Sequence, residues 1–374
     1  MEKIRILHIL SDTNIGGAGR LLYNLSECID KNKFEFIYVF PKGSDLIDVF
    51  KGSKIYCISG GCDRSFDPSA IREVKKIISI AQPHIIHTHS ALFARIGARL
   101  GGFSKERVVY TKHCVFNIPK IAKYRVFKSI YKLIDNALAG HIIAVAESAK
   151  KELIAYGVDE RKIQVIINGV QPLRESTNYE KNMLREKLNI AKSSLIVGIS
   201  ARLESYKGHK TLIKSAEILK QKGINNVVFL ILGDGSYYEE LKKYSEKLNV
   251  SDRILFLGFK QNIAEYVNIF DINVNCSTGT ETSSLAISEG LSLSKPAIVS
   301  DFGGNPNMVK NGETGYVVKQ NDAYSLADKI IYLKNNPAIL KYMSQNAKID
   351  FFERFSADIM SCQYESFYLS LMER

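Results

Sequence analysis

TETSSLAISEGLSLSKPAIVSD, residues 280–301, sets a loop, a helix and a buried strand in quick succession. Two carboxylates, Glu281 and Glu289, stand with seven residues between them, among them the small hydroxyl residues Thr282, Ser283 and Ser284. Residues 285–289 read as a helix and 296–301 as the strand that follows it. Thr282 or Ser283 is the expected N-cap, because a hydroxyl there accepts from an orphan amide. Glu281 then sits in the loop facing the helix start, and Glu289 beyond the first turn. Bare amides and the helix dipole make such a start an anion site. Carboxylates on either side of it would bind hydroxyl groups.

Outward from this stretch, short apolar runs alternate with longer amphipathic segments almost from end to end. Residues 195–201, 227–232, 254–257, 272–276 and 296–300 are expected strands, and 209–222, 237–248, 263–270 and 283–292 expected helices. Upstream, 4–10, 34–40, 54–59, 84–89, 107–113 and 141–147 have the β-branched content of buried strands. Asp67-Pro68 marks a capped helix start, with proline at the first helical position, and that helix runs to about Ala81. This alternation predicts α/β architecture with parallel, doubly wound sheets, whose ligands bind at the carboxyl ends of the strands. The pattern pauses at 163–170 (IQVIINGV), Pro172 and the polar segment 174–181, which is the expected hinge. Two Rossmann-like domains are therefore expected, 1–170 and 171–355, facing each other across a cleft. Residues 322–335, 337–352 and 356–372 read as helical. The final segment, 356–374, is rich in aromatics at Tyr364, Phe367 and Tyr368.

The chain of 374 residues is long for one core and comfortable for two. Its 45% hydrophobic and 24% charged content is that of an ordinary water-soluble protein, and no stretch has the apolar length of a spanning helix. The six cysteines are scattered without a C-x-x-C pair, so neither a zinc site nor a disulfide framework is indicated. With a first strand starting within a few residues of Met1 and no leader pattern, the expectation is a cytoplasmic protein. The net charge of +12 is uneven: residues 1–170 hold 26 Lys and Arg against 16 Asp and Glu, the remainder 25 against 23. Such a first half suits an anionic partner (a membrane surface, nucleic acid or a phosphorylated acceptor) or is simply a solvated basic surface.

Several strand ends carry candidate chemistry. Ser11 to Arg20 follows the first strand, and Gly16, Gly17 and Gly19 would let a ligand approach the backbone at a helix start. Their spacing is not G-x-G-x-x-G, and no acid ends the second strand, so a dinucleotide reading is weak and a plain tight turn is the alternative. Two more strands end in histidine, at His87-Thr88-His89 and at His113 beside Lys112. A metal pair there lacks further ligands at metal spacing. Packed or hydrogen-bonded imidazoles are the alternative. After 195–201, Arg202 and Lys207 flank a turn ending at Gly208, where a guanidinium fork and a mobile ammonium suit a diphosphate. Segment 117–136 has five cations and no acid before Asp135, on a helix with one apolar face. That pattern reads as membrane-surface binding or as a crossover helix on its own sheet.

Taken in order, GGAGR, HTH, TKH, IINGV, ARLxxxKG, LGDG, LGF and ETSSLAISEGLSLSKP form a series spanning nearly the whole chain. It closely resembles the family 4 retaining glycosyltransferases, which have the GT-B fold. The resemblance implies transfer of a sugar from a nucleotide diphosphate donor, usually UDP-linked, to a saccharide or lipid-linked acceptor. Retention of anomeric configuration and independence from metal and cofactor are also implied, and the chain has no Asp-x-Asp motif. It further implies that the last helix crosses back to the first domain, which binds the acceptor while the second binds the donor.

Carried over residue by residue, Arg202 and Lys207 would hold the diphosphate, Glu289 the ribose hydroxyls and Glu281 a hydroxyl of the donor sugar. Ser283, Ser284 and Leu285 would meet phosphate oxygens, and Gly258-Phe259-Lys260 the base. Gly16 and Gly17 would approach the donor phosphates, and His113 would sit beside sugar and acceptor. The implied mechanism is same-face displacement, with Arg202 and Lys207 stabilising charge on the departing diphosphate and its oxygen taking the acceptor's proton. Two departures from the family stand out. Thr282-Ser283-Ser284 replaces a glycine, a bulky residue and a small one, and Asn305-Pro-Asn307 stands where a glutamate is common. Two other classes remain to be separated: a UDP-sugar 2-epimerase on the same scaffold, and a non-enzymatic basic protein binding membrane or nucleic acid, for which no base-reading spacing is present.

Overall fold

The computed structural model describes residues 2–13, 15–59, 67–89, 91–113, 133–134 and 136–373. All but three residues of the basic segment 117–136 lie outside them. The chain forms two compact units, Met1–Val170 with Ala357–Arg374, and Gln171–Ser356.

In the first unit seven parallel strands lie in the order β3-β2-β1-β4-β5-β6-β7. They are β1 (Ile4–Leu10), β2 (Phe34–Pro41), β3 (Lys54–Ile58), β4 (Ile85–His89), β5 (Val108–Lys112), β6 (His141–Ala144) and β7 (Ile163–Val165). The order reverses between β1 and β4, the crevice where ligands bind in doubly wound sheets. Because both faces are covered, the strands are apolar on both sides: Leu7 and Ile9 face one core, Ile6 the other. The helix Pro68–Ala81 starts where its sequence signal puts it, with the Asp67 carboxylate accepting from the amides of Ser69 and Ala70.

The second face is closed by the helix Ala357–Met372, whose Met360, Tyr364, Phe367, Tyr368 and Leu371 are buried with Leu21 and Leu25. Its first amide donates to the Val170 carbonyl at 2.9 Å, and Glu365 accepts from the Asp30 amide at 2.9 Å. The helix begins at Ala357, so Ser356 belongs to the second unit rather than to the tail.

The second unit repeats the winding with six parallel strands, β10-β9-β8-β11-β12-β13. They are β8 (Leu195–Ser200), β9 (Val227–Leu232), β10 (Ile254–Gly258), β11 (Ile272–Asn275), β12 (Ala297–Ser300) and β13 (Gly315–Val318). The reversal lies between β8 and β11. Three features differ from the expectation. Residues 163–165, expected as part of the hinge, form the strand β7. The edge strand β13 was not legible as a strand. Residues 174–181, expected as polar linker, instead run into the helix Asn178–Lys187, which is opened by a capping box of Thr177 and Glu180. Among the described residues no helix is long and apolar enough to cross a membrane.

Candidate functional site

In the second unit the reversal of strand order brings the loops after β8 and β11 together. Gly208 makes this possible: it has φ +73°, and a Cβ there would stand 2.0 Å from the Cys276 carbonyl oxygen. The Thr278 amide donates to the Tyr206 carbonyl at 2.7 Å, tying the two loops. Lys207 Nζ thereby reaches Glu281 Oε2 at 2.8 Å, with the side chains 15% and 9% exposed.

Breaking so buried a pair leaves an uncompensated charge, and here the same oxygen is satisfied further. Glu281 Oε2 also accepts from Ser277 Oγ at 2.8 Å and from Asn275 Nδ2 at 3.1 Å. Asn275 Nδ2 donates at 3.0 Å to Ser284 Oγ, which accepts from the Ile287 amide. The N-cap of the helix Leu285–Ser292 is thus Ser284, not Thr282 or Ser283. Asn275 settles the choice by supplying the hydroxyl's second partner. Ser283 Oγ is shielded and without a partner among the described residues, and Leu285, half-buried, opens the first turn, whose amides have no intrahelical acceptor. Glu289 is buried beyond that turn.

Behind Glu281 the backbone is clamped. A Cβ at Gly304 would stand 1.6 Å from the Thr282 carbonyl oxygen, and the Gly304 amide donates to the Glu281 carbonyl at 3.1 Å. Asn305, fully buried, donates to Ser300 Oγ at 2.9 Å and to Asn275 Oδ1 at 3.3 Å. Arg354, bonded to the buried Asp350, holds the Asn307 carbonyl at 3.0 Å. The segment 305–307, where the family often has a glutamate, is therefore a structural support for the carboxylate loop.

Arg202 is exposed, its guanidinium donating to Tyr206 Oη at 2.9 Å, so of the two expected cations one is buried against an acid and one stands open. At the end of β10, Gly258 has φ +68°, Phe259 is 75% exposed, and Lys260 lies over the Tyr266 ring at 5.2 Å.

In the first unit Gly16 caps the helix Gly17–Cys28 through its backbone, without a side-chain cap. Among the described residues nothing lies within 4 Å of a Cβ at Gly17. Packing against the described residues therefore does not require glycine at that position.

The histidines form a cluster larger than the sequence suggests. His8 pairs across the sheet with His87, and His89 with Thr111. His87 is held by Tyr368 Oη and Thr111 Oγ1, both at 2.6 Å. His89 Nδ1 meets His113 Nε2 at 2.9 Å, and His89 Nε2 meets His8 Nδ1 at 3.1 Å. Burial pushes all four rings below the usual histidine range, with His113 pushed down to about 4, which keeps them neutral at pH 7.

Sequence reasoning missed Asn275, Ser277, Ser300 and His8. A signal existed for Asn275, since amides at 273 and 275 interrupt an otherwise apolar strand. A lone histidine in β1 carried none, because its partners lie about eighty residues away.

Residues 15–174 match the family described as Glycosyltransferase Family 4, and residues 180–350 the family described as Glycosyl transferases group 1. The chain is 28% identical over 367 residues to the Escherichia coli UDP-Gal:alpha-D-GlcNAc-diphosphoundecaprenol alpha-1,3-galactosyltransferase, covering 93% of this chain and 92% of that protein. A glycosyltransferase from Rickettsia africae ESF-5 superposes with a TM-score of 0.85 at 21% identity, over 100% of both chains. Anabaena HepE, solved in complex with UDP, gives 0.84 at 19% identity, covering 98% of this chain and 100% of that one. These superpositions identify the fold as GT-B.

Proposed function

The chain belongs to the glycosyltransferases of family 4 and group 1, and from that premise we propose the reaction it runs. A sugar moves from a UDP-linked donor to a hydroxyl of a saccharide or lipid-linked acceptor, with its anomeric configuration retained and no metal required. The product is a surface polysaccharide or glycolipid. The observation that carries this reading is the buried Lys207–Glu281 pair, set at the reversal of strand order and linked through Asn275 to the Ser284 cap of a helix start. The UDP held by HepE supports the donor class, and the name of the Escherichia coli relative supports a lipid-linked acceptor.

In this reading the second unit holds the donor. Arg202 gives the diphosphate planar contacts and Lys207 a point charge, and their stabilisation of the leaving group replaces a divalent ion. The amides at Ser284 and Leu285 take phosphate oxygens, and the Ser283 hydroxyl lines the same turn. Glu289 takes the ribose hydroxyls, and Glu281, fixed by Asn275 and Ser277, a sugar hydroxyl. Phe259, exposed between Gly258 and Lys260, stacks on the base. In the first unit, which receives the acceptor, Gly16 and Gly17 offer amides to phosphate and His113 bonds a sugar hydroxyl. The departing phosphate oxygen takes the acceptor's proton. The excess of cations in residues 1–170, five of them within 117–136, supports a peripheral place on anionic lipid at the cytoplasmic face.

Calorimetry with UDP tests the reading. Arg202→Ala and Glu289→Ala should each weaken binding about tenfold or more. Wild-type protein that binds no UDP, or variants that bind as tightly as wild type, would overturn it. Incubation with UDP-sugars alone separates it from a 2-epimerase, which converts donor without acceptor. Flotation with anionic liposomes tests the membrane surface, and binding unchanged when Lys120, Lys123, Arg125 and Lys128 are neutralised removes that segment from it.

A further inference from the structure

Tyr206 stands between the two cations at the end of β8. It is the middle residue of the 3-10 turn Ser205–Lys207. Arg202 Nη2 donates to its hydroxyl at 2.9 Å, and Lys207 Nζ lies 5.7 Å from the centre of its ring. Its carbonyl accepts from the Thr278 amide at 2.7 Å and from Thr278 Oγ1 at 3.3 Å, which anchors the turn to the loop leading to Glu281. A Cβ at Gly279 would stand 3.1 Å from the Tyr206 Cβ, so the same loop lies against the base of the ring. The neighbouring loop therefore fixes the phenol's backbone, and a tyrosine has few torsions left to order.

The two cations are held very differently. Lys207 is buried and paired with Glu281. Arg202 is exposed, and among the described residues its guanidinium makes no ion pair and bonds Tyr206 instead. A long side chain left loose gives up rotamer freedom when a ligand immobilises it, and that loss weakens binding. The sense of the Arg202–Tyr206 bond is not open to choice, because a guanidinium has donors and no acceptor. The phenol oxygen accepts, one N–H of the planar fork is taken, and the others stay available for phosphate oxygens.

We propose that Tyr206 is a positioning residue for Arg202. Its hydroxyl holds the guanidinium beside Lys207 before the donor arrives, so that both cations meet the diphosphate from one side. Its effect passes through Arg202. Lys207 does not depend on the hydroxyl, since Glu281 fixes that ammonium. The inference deepens the glycosyl-transfer reading and rests on it for the donor.

The test is a double-mutant cycle of Tyr206→Phe and Arg202→Ala in the full-length chain, read by calorimetry with UDP and, separately, with inorganic diphosphate. Tyr206→Phe removes the hydroxyl and keeps the ring against Lys207 and Gly279, so its melting temperature should match wild type. It should weaken both ligands about threefold to tenfold, the scale of one lost hydrogen bond to a charged group. In the Arg202→Ala background the same change should have no further effect, because there is no fork left to hold. With a UDP-sugar, kcat should fall by more than donor KM rises, since the fork acts on charge that grows as the diphosphate departs. Wild-type affinity in Tyr206→Phe, losses that multiply in the double variant, or a KM that rises alone overturns the proposal. Wild type that binds diphosphate but not UDP sinks glycosyl transfer, while the diphosphate arm still decides Tyr206. Wild type that binds neither overturns both.

Discussion

The two sheets wind in one order, β3-β2-β1-β4-β5-β6 against β10-β9-β8-β11-β12-β13, yet the strand ends at their reversals carry different chemistry. In the first unit, neutral rings bond to one another in the interior, and the group that could meet a ligand, His113, is half-buried. In the second, a carboxylate and an ammonium are paired and surrounded by amide and hydroxyl donors, with Arg202 standing open beside them. The backbone puts a site at each reversal without specifying what it does. A neutral hydrogen-bonding group suits recognition of hydroxyls, and a pair of cations suits charge that builds on a leaving diphosphate. Mutations at the two reversals should therefore differ in kind.

The largest effect belongs to the charged reversal. Lys207→Ala removes a group that would act on the transition state and strands Glu281 among polar donors. Turnover of the UDP-sugar should fall about a thousandfold. Stability should fall by about 3 kcal/mol, since one partner of a buried pair is lost. Denaturant melts and steady-state kinetics read both. An equal fall for His113→Ala would break the contrast between the units.

Next comes the clamp. Gly304→Ala places a methyl on the Thr282 carbonyl, which must shift and take Glu281 with it. The expected cost is about 3 kcal/mol, with weakened UDP binding. Gly17→Ala in the other unit meets none of the described residues and should cost little stability. Its effect on turnover would report a ligand, not packing.

Acid separates the units by their histidines. A ring kept neutral by burial takes its proton less readily when folded than when unfolded. The unfolded chain therefore gains protons as pH falls below the ordinary histidine value of 6.5, and the folded state loses stability until pH passes the folded value, about 4 for His113. His8, His87 and His89 act in the same sense, whereas the second unit has only His209, also pushed down to about 4. Carboxylates such as Glu180, held near 2 by Arg174, are lost only at lower pH. Hydrogen exchange between pH 6.5 and 4 should thus open β1, β4 and β5 before β8 and β11. The opposite order would show that the rings are already charged or hydrated.

How far the sequence discloses each reversal follows from the range of the interactions. Strands buried on both faces announce themselves as apolar runs, so eleven of the thirteen are legible as runs, while β7 falls in the stretch read as the hinge. The other exception, β13, has four residues and a mixed exposure, and its Gly315 is required by the Ala297 carbonyl, a contact from another strand. The helix Asn178–Lys187 buries no residue, so it has no apolar periodicity; only its capping box spoke for it. Glu281 and Lys207 were visible as residue types, but their pairing depends on two loops that only the sheet order brings together. His8 is the extreme case, a single polar residue whose meaning comes entirely from neighbours on other strands.

The smallest effects offer the finest test, because they can be matched. Asp67 and Ser284 both cap helices, the first in an exposed turn of the first unit, the second inside the charged reversal. Either residue changed to alanine should cost about 1 kcal/mol, the usual value of a lost cap. Their consequences for turnover should diverge. Asp67→Ala frees two amides to water and leaves both reversals untouched, so kinetics should match wild type. Ser284→Ala also removes an acceptor of Asn275 Nδ2, leaving that amide with Glu281 alone, and loosens the carboxylate it positions. A several-fold loss of kcat/KM at a stability equal to Asp67→Ala would assign Ser284 to the positioning of Glu281. Equal kinetics in the two variants would reduce Ser284 to a cap and leave Lys207 and Ser277 as the groups that hold the carboxylate.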